Sequence, residues 1–200
     1  MRPPPRIATA VGAALVLGAI GVLTGSAPAA GLRPDVVVDV GHTLAVEDGP
    51  GGGGTTLGLS LLWRLEDHFR VGMMALADGL GERTERLIGT GGTDLGPVAG
   101  AHRLAQGVGV RLEAHLPGAH RLEPHLAATW GLYRVEDEVR GDLIGSGAAA
   151  GFGLGVGLLR PFSRRHAAGV AVRAQQLSRG IAGRYLSTAL EWRWNMGAGD

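Results

Sequence analysis

Histidine is the residue type in this chain that most directly suggests chemistry, because imidazole binds metal ions and exchanges protons near neutral pH. Three of the seven histidines, His115, His120 and His125, flank one short turn-like segment. His115 and His125 share the same parity, so a hairpin would bring their side chains to one face. No cysteine and no HExxH pattern completes a zinc set. We interpret the histidines as polar packing residues, with a metal pair as the alternative.

The composition excludes several other kinds of site. All 19 basic residues are arginine, so a Walker-type phosphate loop and Schiff-base catalysis are excluded, and the absence of cysteine excludes thiolate chemistry and disulfides. The glycine-rich run 145–150 fails the GxGxxG pattern at its last position. A formal net charge of +1 argues against a nucleic-acid partner. We predict no catalytic, cofactor-binding or metal-ligating residues and no cofactor.

The first 29 residues have the three-part plan of a secretory signal peptide. Arg2 and Arg6 precede an apolar run from Ile7 to about Gly25, and small residues at 27–29 offer a cleavage site. An uncleaved anchor is the alternative, because the run of about 18 residues approaches bilayer-spanning length. We predict cleavage of residues 1–29 and one mature domain, residues 30–200, without a transmembrane helix. We expect no further domain after it.

The mature region alternates apolar and polar residues with a period of two, which is typical of strands with one apolar face. In one such segment Leu57, Leu59, Leu61 and Trp63 alternate with Gly58, Ser60 and Arg64, and Leu62 is the exception. We count eight segments of this kind, each near the length of about 9–11 residues that a tilted strand needs to cross a membrane. The fold class predicted is all-β, an eight-stranded antiparallel up-and-down transmembrane β-barrel.

The connections between these segments alternate in length. Short connections fall at 66–67, 117–120 and 161–165, and longer ones at 47–54, 79–106, 136–147 and 178–183. Short periplasmic turns and long extracellular loops are typical of transmembrane barrels. For residues 79–106 the sequence leaves open a surface loop or a strand extension above the membrane.

The face opposite the apolar one carries charges of both signs. Its charged members are Asp39, Arg64, Arg70, Arg111, Glu113, Glu123, Arg173, Glu191 and Arg193. An eight-stranded barrel is just wide enough for side chains to fill, so we expect these groups to pair inside a packed lumen without a wide pore. Inward glycines at 151, 153, 155 and 157 would leave space for long side chains from other strands. A soluble periplasmic β-sandwich or lipocalin-like binder is the alternative.

Some residues of the apolar face mark its boundaries. Trp130, Trp192 and Trp194 are expected at the membrane interface. His42 shares that face, and either a bulge at Gly41 re-aims it or it lies near the lipid headgroups.

Two stretches resemble a known superfamily. Residues 185–194 resemble the C-terminal assembly signal of bacterial outer-membrane barrels, with Ser187, Ala189, Trp192 and Trp194 at the signal positions and alanine where glycine is usual. Residues 122–134 resemble a strand of the same proteins, with Pro124 near its periplasmic end. The mature chain thus resembles the small eight-stranded outer-membrane β-barrel domain shared by the OmpA, OmpX and opacity-protein relatives.

The resemblance implies a monomeric, non-enzymatic protein of the Gram-negative cell outer membrane. It implies contact with outer-membrane lipid and lipopolysaccharide, and insertion by the barrel assembly machinery. The loops at 47–54, 79–106 and 136–147 would then serve structural, adhesion or partner-binding roles, with an extracellular ligand that the sequence does not identify.

A narrower resemblance concerns the segment 172–181, which is similar to the catalytic strand of the lipid A 3-O-deacylase family. Ser178 matches the family's serine, but Gln176 stands at the histidine position and Arg179 at the asparagine position. A serine nucleophile needs a base to take its proton, and glutamine cannot act as one. We therefore predict no enzymatic activity, with an inactive deacylase-like barrel as the alternative.

Overall fold

Eight antiparallel strands make up most of the described part of the chain. The computed structural model describes residues 33–46, 53–88, 94–117, 121–139, 142–178 and 183–196. The strands are β1 (Asp35–Ala45), β2 (Gly53–Glu66), β3 (Phe69–Ile88), β4 (Asp94–His115), β5 (Glu123–Val139), β6 (Asp142–Pro161), β7 (His166–Leu177) and β8 (Arg184–Asn195). Each strand pairs with its neighbours in sequence, and β8 pairs with β1, which closes the barrel. The predicted eight-stranded antiparallel up-and-down barrel is confirmed.

Several predictions from the sequence concern residues outside the described ranges. The signal peptide at 1–29 is one, and most of the connection 47–54, His120 and Arg179 are others. Within the ranges above, the structure contains no helix long and apolar enough to cross a bilayer.

The barrel has two ends of different character. At the turn end, residues 67–68 join β2 to β3, residues 116–122 join β4 to β5 and residues 162–165 join β6 to β7. The start of β1 and the end of β8 lie at this end too, because Asp35 pairs with Asn195. The opposite end, where β3 meets β4 and β5 meets β6, is the loop end.

Much of what the sequence predicts as loop is strand at the loop end. Residues 79–88 belong to β3 and 94–106 to β4, so the strand extension, not a surface loop, is the correct interpretation of this segment. A loop over 136–147 is wrong, because Glu136 pairs with Ser146 and Asp137 with Gly145 within the β5–β6 ladder. Four strands therefore run to 17–22 residues, well beyond the predicted length of about ten.

Side chains alternate between the lumen and the outer surface, as the sequence predicts. Trp130, Leu132 and Leu190 are 60–69% exposed, whereas Thr129, Tyr133 and Glu191 beside them are buried. Leu62, the apolar exception in the alternation of β2, has inward parity and is completely buried. Leu61 has the opposite, outward parity and is also buried. The outer surface is thus a broad apolar belt, which in water would be a large exposed hydrophobic surface.

The inward glycines of β6 make room for side chains from the neighbouring strands. A Cβ on Gly157 would lie 2.2 Å from the His125 ring, and one on Gly151 would lie 2.4 Å from the Tyr133 ring. A Cβ on Gly153 would lie 2.0 Å from the Gln175 amide oxygen. The space predicted for long inward side chains is confirmed at these three positions.

His42 lies on the outer surface near the loop end. It pairs with Thr55 of β2 and Thr188 of β8, and the register of β1 runs without interruption on both sides. The bulge hypothesis at Gly41 is therefore wrong, since a bulge would shift one of these registers. The placement of His42 near the lipid headgroups stays a prediction.

Candidate functional site

The lumen contains a network of charged side chains centred on Arg111. The Arg111 guanidinium lies 2.9 Å from an Asp39 carboxylate oxygen, 2.6 Å from Glu113 and 3.0 Å from Glu191. All four residues are buried. A buried arginine is stable only when carboxylates offset its lost hydration, and here three strands supply them.

Arg193 links the same carboxylates from the turn end. Its Nη2 lies 2.7 Å from Glu113 and 2.8 Å from Glu191, and its Nη1 lies 2.9 Å from His115 Nε2. Arg173 adds a 3.0 Å contact to Asp39. These contacts cross the barrel and tie β1, β4, β7 and β8 together.

The network is balanced in charge. Arg70 pairs with Asp35 at 2.8 Å, so Arg70, Arg111, Arg173 and Arg193 face Asp35, Asp39, Glu113 and Glu191, four cations against four anions. This balance means that the lumen needs no outside counter-ion at the turn end.

Seven of the nine predicted lumen charges are buried in the lumen, and two are not. Arg64 is exposed and Glu123 is partly exposed, because both lie where their strands reach the turn end. Asp35 is absent from the predicted set of lumen charges, although it shares its parity with Asp39 on β1. Asp78 shares the inward parity of Arg70 on β3 but is also absent from the predicted set.

A second layer fills the lumen nearer the loop end. Asp78 is fully buried and accepts hydrogen bonds from the Thr56 hydroxyl and, at 2.6 Å, from the Tyr185 hydroxyl. Gln175 donates to the Tyr133 hydroxyl at 2.6 Å. Met74, Leu76 and other apolar side chains pack around the two tyrosines. The described lumen is therefore filled by side chains in two layers, one charged and one tyrosine-rich.

The strand extensions carry their own ion pairs. Arg103 of β4 makes a bidentate contact to Asp137 of β5, at 2.6 and 2.8 Å, and Arg103 is buried. Arg134 pairs with Glu136 at 2.7 Å on an exposed surface. The bidentate pair locks β4 to β5 above the tyrosine layer.

The histidine pair predicted from the hairpin is confirmed in position. His115 and His125 pair across β4 and β5, and their rings stack with centroids 5.6 Å apart. Donor atoms of Glu113, His125 and Glu191 lie within 4.8 Å of one another, as a metal set would. Both carboxylates already contact the guanidinium groups of Arg111 and Arg193, which would repel a cation. In the described lumen these residues form a stacked histidine pair and a set of ion pairs.

Ser178 follows the last residue of β7 and is hydrogen-bonded to β6. Its hydroxyl accepts a hydrogen bond from the Ala150 amide at 3.1 Å, and its own amide donates to the Ala150 carbonyl at 2.7 Å. In the part of the chain that the structure describes, no hydrogen bond joins Ser178 to a histidine. Gln176 faces outward and is exposed.

The closed barrel, its outer apolar belt and its filled lumen define a small barrel of the outer-membrane type. Among solved structures the chain is similar to Neisserial surface protein A, with a TM-score of 0.62 and 13% identity over 80% of this chain and 96% of that one. It is also similar to the N-terminal β-barrel domain of Pseudomonas aeruginosa OprF, with a TM-score of 0.49 and 10% identity over 82% and 99%. The outer membrane enzyme PagL gives a TM-score of 0.47 and 18% identity over 81% and 99%.

These likenesses concern the fold. The fold expected from the resemblance to small eight-stranded outer-membrane barrels is confirmed. No family model matches the chain, and no curated protein matches its sequence.

Proposed function

We propose that the protein is a monomeric outer-membrane barrel of a Gram-negative envelope that binds an extended polypeptide at the cell surface. In this proposal the turn end faces the periplasm, and lipopolysaccharide and phospholipid surround the apolar belt. The alternation of short and extended connections supports this orientation. Export by a cleaved signal peptide and insertion by the barrel assembly machinery belong to the same proposal.

The single observation that carries the binding role is the sheet standing above the loop end. Asp78 is the last residue of β3 that pairs with β2, and residues 79–88 of β3 continue beyond it. At a rise of about 3.3 Å per residue, they reach about 30 Å further along the strand. β4, β5 and β6 accompany the first part of this extension as a four-stranded sheet, and beyond Ala101 only the β3–β4 ladder continues.

The β6 side of this sheet offers an open edge within the described residues. The pairing of β6 with β7 ends at Gly151 and Leu177, followed by the Ala150–Ser178 hydrogen bonds. Because peptide groups on a strand alternate in direction, those of Ala148 and Ser146 face the same side as that of Ala150. An extended segment can add to such an edge as a further strand.

The orientation can be tested because the chain contains no cysteine. A cysteine introduced by Ser146→Cys should react with a membrane-impermeant maleimide on intact cells. A cysteine introduced by Ser163→Cys, in the β6–β7 turn, should react only after the outer membrane is opened. The reverse pattern, or equal labelling of both, would contradict the proposed orientation.

The binding role can be tested with peptides of about ten residues, the upper range of ordinary strand length. Peptides selected on the purified barrel should lose binding to the Ser146→Pro variant, because proline removes the amide donor of the open edge. The matched Ser146→Ala variant keeps that donor and should bind as before. The proposal fails if selection yields no peptide, or if the proline variant binds the peptides equally well.

We also propose that the protein is not a lipid A acyl hydrolase. The observation that supports this is the Ser178 hydroxyl, which is engaged by the backbone of β6 and has Gln176 where a base would be needed. The lipid A mass spectrum of expressing cells should be unchanged. Loss of one acyl chain, abolished by Ser178→Ala, would contradict it.

A further inference from the structure

We propose that the β6–β7 turn and the adjoining surface of β8 bind the headgroup of an anionic phospholipid in the periplasmic leaflet. The surface consists of Arg160, Arg164, Phe162, His166, Trp192 and Trp194. It lies at the turn end of the apolar belt, on the opposite side of the membrane from the proposed polypeptide edge.

The turn carries only positive charge. Residues 158–171 contain Arg160, Arg164 and Arg165 and no acidic residue. All three arginines are exposed, and Arg160 and Arg164 have no ion-pair partner within the described residues. The β2–β3 turn differs, because Arg64 there is followed by Glu66 and Asp67. An anionic headgroup would supply a counter-charge to Arg160 and Arg164.

Hydrogen bonds hold the backbone of this turn in one conformation. The Ser163 hydroxyl accepts from the amides of Arg165 and His166, at 3.2 and 3.0 Å. The His166 carbonyl accepts from the amides of Phe162 and Ser163, at 3.1 and 3.2 Å. The arginines therefore extend from a fixed backbone, which lowers the entropy lost when they bind a headgroup.

A row of aromatic rings sets the depth of the site in the bilayer. The His166 ring lies beside Phe162, Trp192 and Trp194, with centroids 6.0, 5.7 and 6.4 Å away. The Phe162, Trp192 and Trp194 side chains are 44–65% exposed on the outer surface. Tryptophan rings in membrane barrels lie at the level of the lipid headgroups. The turn arginines are thus placed where lipid phosphates occur.

The pairing of the strands brings cation and aromatic ring onto one lipid-facing row. Arg160 pairs with Ala168, and Ala168 pairs with Trp192. The small Ala168 side chain leaves an open surface between the guanidinium and the indole. A headgroup phosphate could contact Arg160 there while acyl chains lie along the apolar belt. Because the site offers cations and no carboxylate, we commit to a lipid with net negative charge, phosphatidylglycerol being the probe.

The test is competition between two lipids on the full barrel. The purified protein is exposed to equal amounts of phosphatidylglycerol and phosphatidylethanolamine, and bound lipid is counted by native mass spectrometry. The wild type should retain phosphatidylglycerol preferentially. Arg160→Gln combined with Arg164→Gln should lower the ratio by roughly fivefold per arginine, the effect of one basic residue near an anionic lipid surface.

A matched control separates this site from general surface charge. Arg64→Gln removes an exposed arginine at the same end, beside two acidic residues, and should leave the lipid ratio unchanged. Arg164→Gln alone changes an exposed side chain at the tip of the turn, so the barrel should still fold, which the gel mobility of unboiled protein checks. Its preference for phosphatidylglycerol should fall by roughly fivefold. The proposal is overturned if the wild type shows no preference, or if the folded Arg164→Gln variant and the double variant keep it.

Discussion

At the scale of single residues, the parity of a strand predicts which side chains face the lumen. It does not predict which of these side chains form ion pairs with one another. The period of two places Arg111, Glu113 and Glu191 on the inward face, because side-chain direction depends only on strand geometry. Which arginine meets which carboxylate depends on strand register and shear, and these are set by all eight strands together. Arg64 illustrates the limit, since it has inward parity but lies where its strand meets water.

Removal of Arg111 should be among the most destabilising changes in the chain. Arg111→Met leaves Asp39, Glu113 and Glu191 without their shared cation, and we expect a loss of about 3–5 kcal/mol in the free energy of unfolding. Urea unfolding in lipid vesicles measures it. Arg134→Gln, which removes an exposed ion pair, is the control and should cost no more than about 1 kcal/mol. Equal effects of the two variants would argue against the network.

The space above Gly157 gives a second prediction at this scale. Gly157→Ala would place a methyl group 2.2 Å from the His125 ring, so we expect it to cost about 1–3 kcal/mol. In a His125→Ala background the ring is absent, and the same change should cost much less. Gly145→Ala, whose added atom would be 3.8 Å from its nearest neighbour, is the matched control. Additive effects of the first two substitutions would contradict the contact.

At the scale of elements, the sequence identifies the eight strands but misjudges how far four of them run. Alternation of apolar and polar residues marks a strand only where one face meets lipid. Beyond the bilayer both faces can meet water, and the alternation stops at Glu136, Asp137 and Glu138 of β5, three consecutive acidic residues. The ladder nevertheless continues, because backbone pairing does not require an apolar face.

The extension should behave as paired sheet in solution. In hydrogen–deuterium exchange, the amides of 79–88 that pair with β4 should be protected well beyond the rate of an unstructured peptide. Measuring the same amides in detergent and in nanodiscs distinguishes protection by strand pairing from protection by contact with lipid. Exchange of the whole segment at the rate of an unstructured peptide would show that it is a surface loop, the alternative that the sequence leaves open.

At the scale of the whole molecule, closure explains how an apolar exterior and a charged interior coexist. Every strand has two neighbours in the barrel, so backbone groups are paired between strands within the apolar belt. The charged and tyrosine layers then fill the interior that closure creates. The sequence predicts this inversion through its alternation, whereas the order of the two layers emerges only in three dimensions.

The filled lumen predicts little ion flow. Two layers of buried side chains, with Arg111 and Tyr185 fully enclosed, should block any wide aqueous path. In a planar bilayer the protein should give no large, stable conductance steps. Such steps in the wild type would contradict the packed lumen.

The central claim is that this chain is a folded barrel in the outer membrane, and cell fractionation tests it most directly. Expressed in a Gram-negative host, the protein should be recovered with the outer membrane. Without boiling it should migrate differently on a denaturing gel from the boiled sample, because a closed barrel resists unfolding by detergent. Recovery in the soluble periplasmic fraction, with the same mobility before and after boiling, would contradict the account.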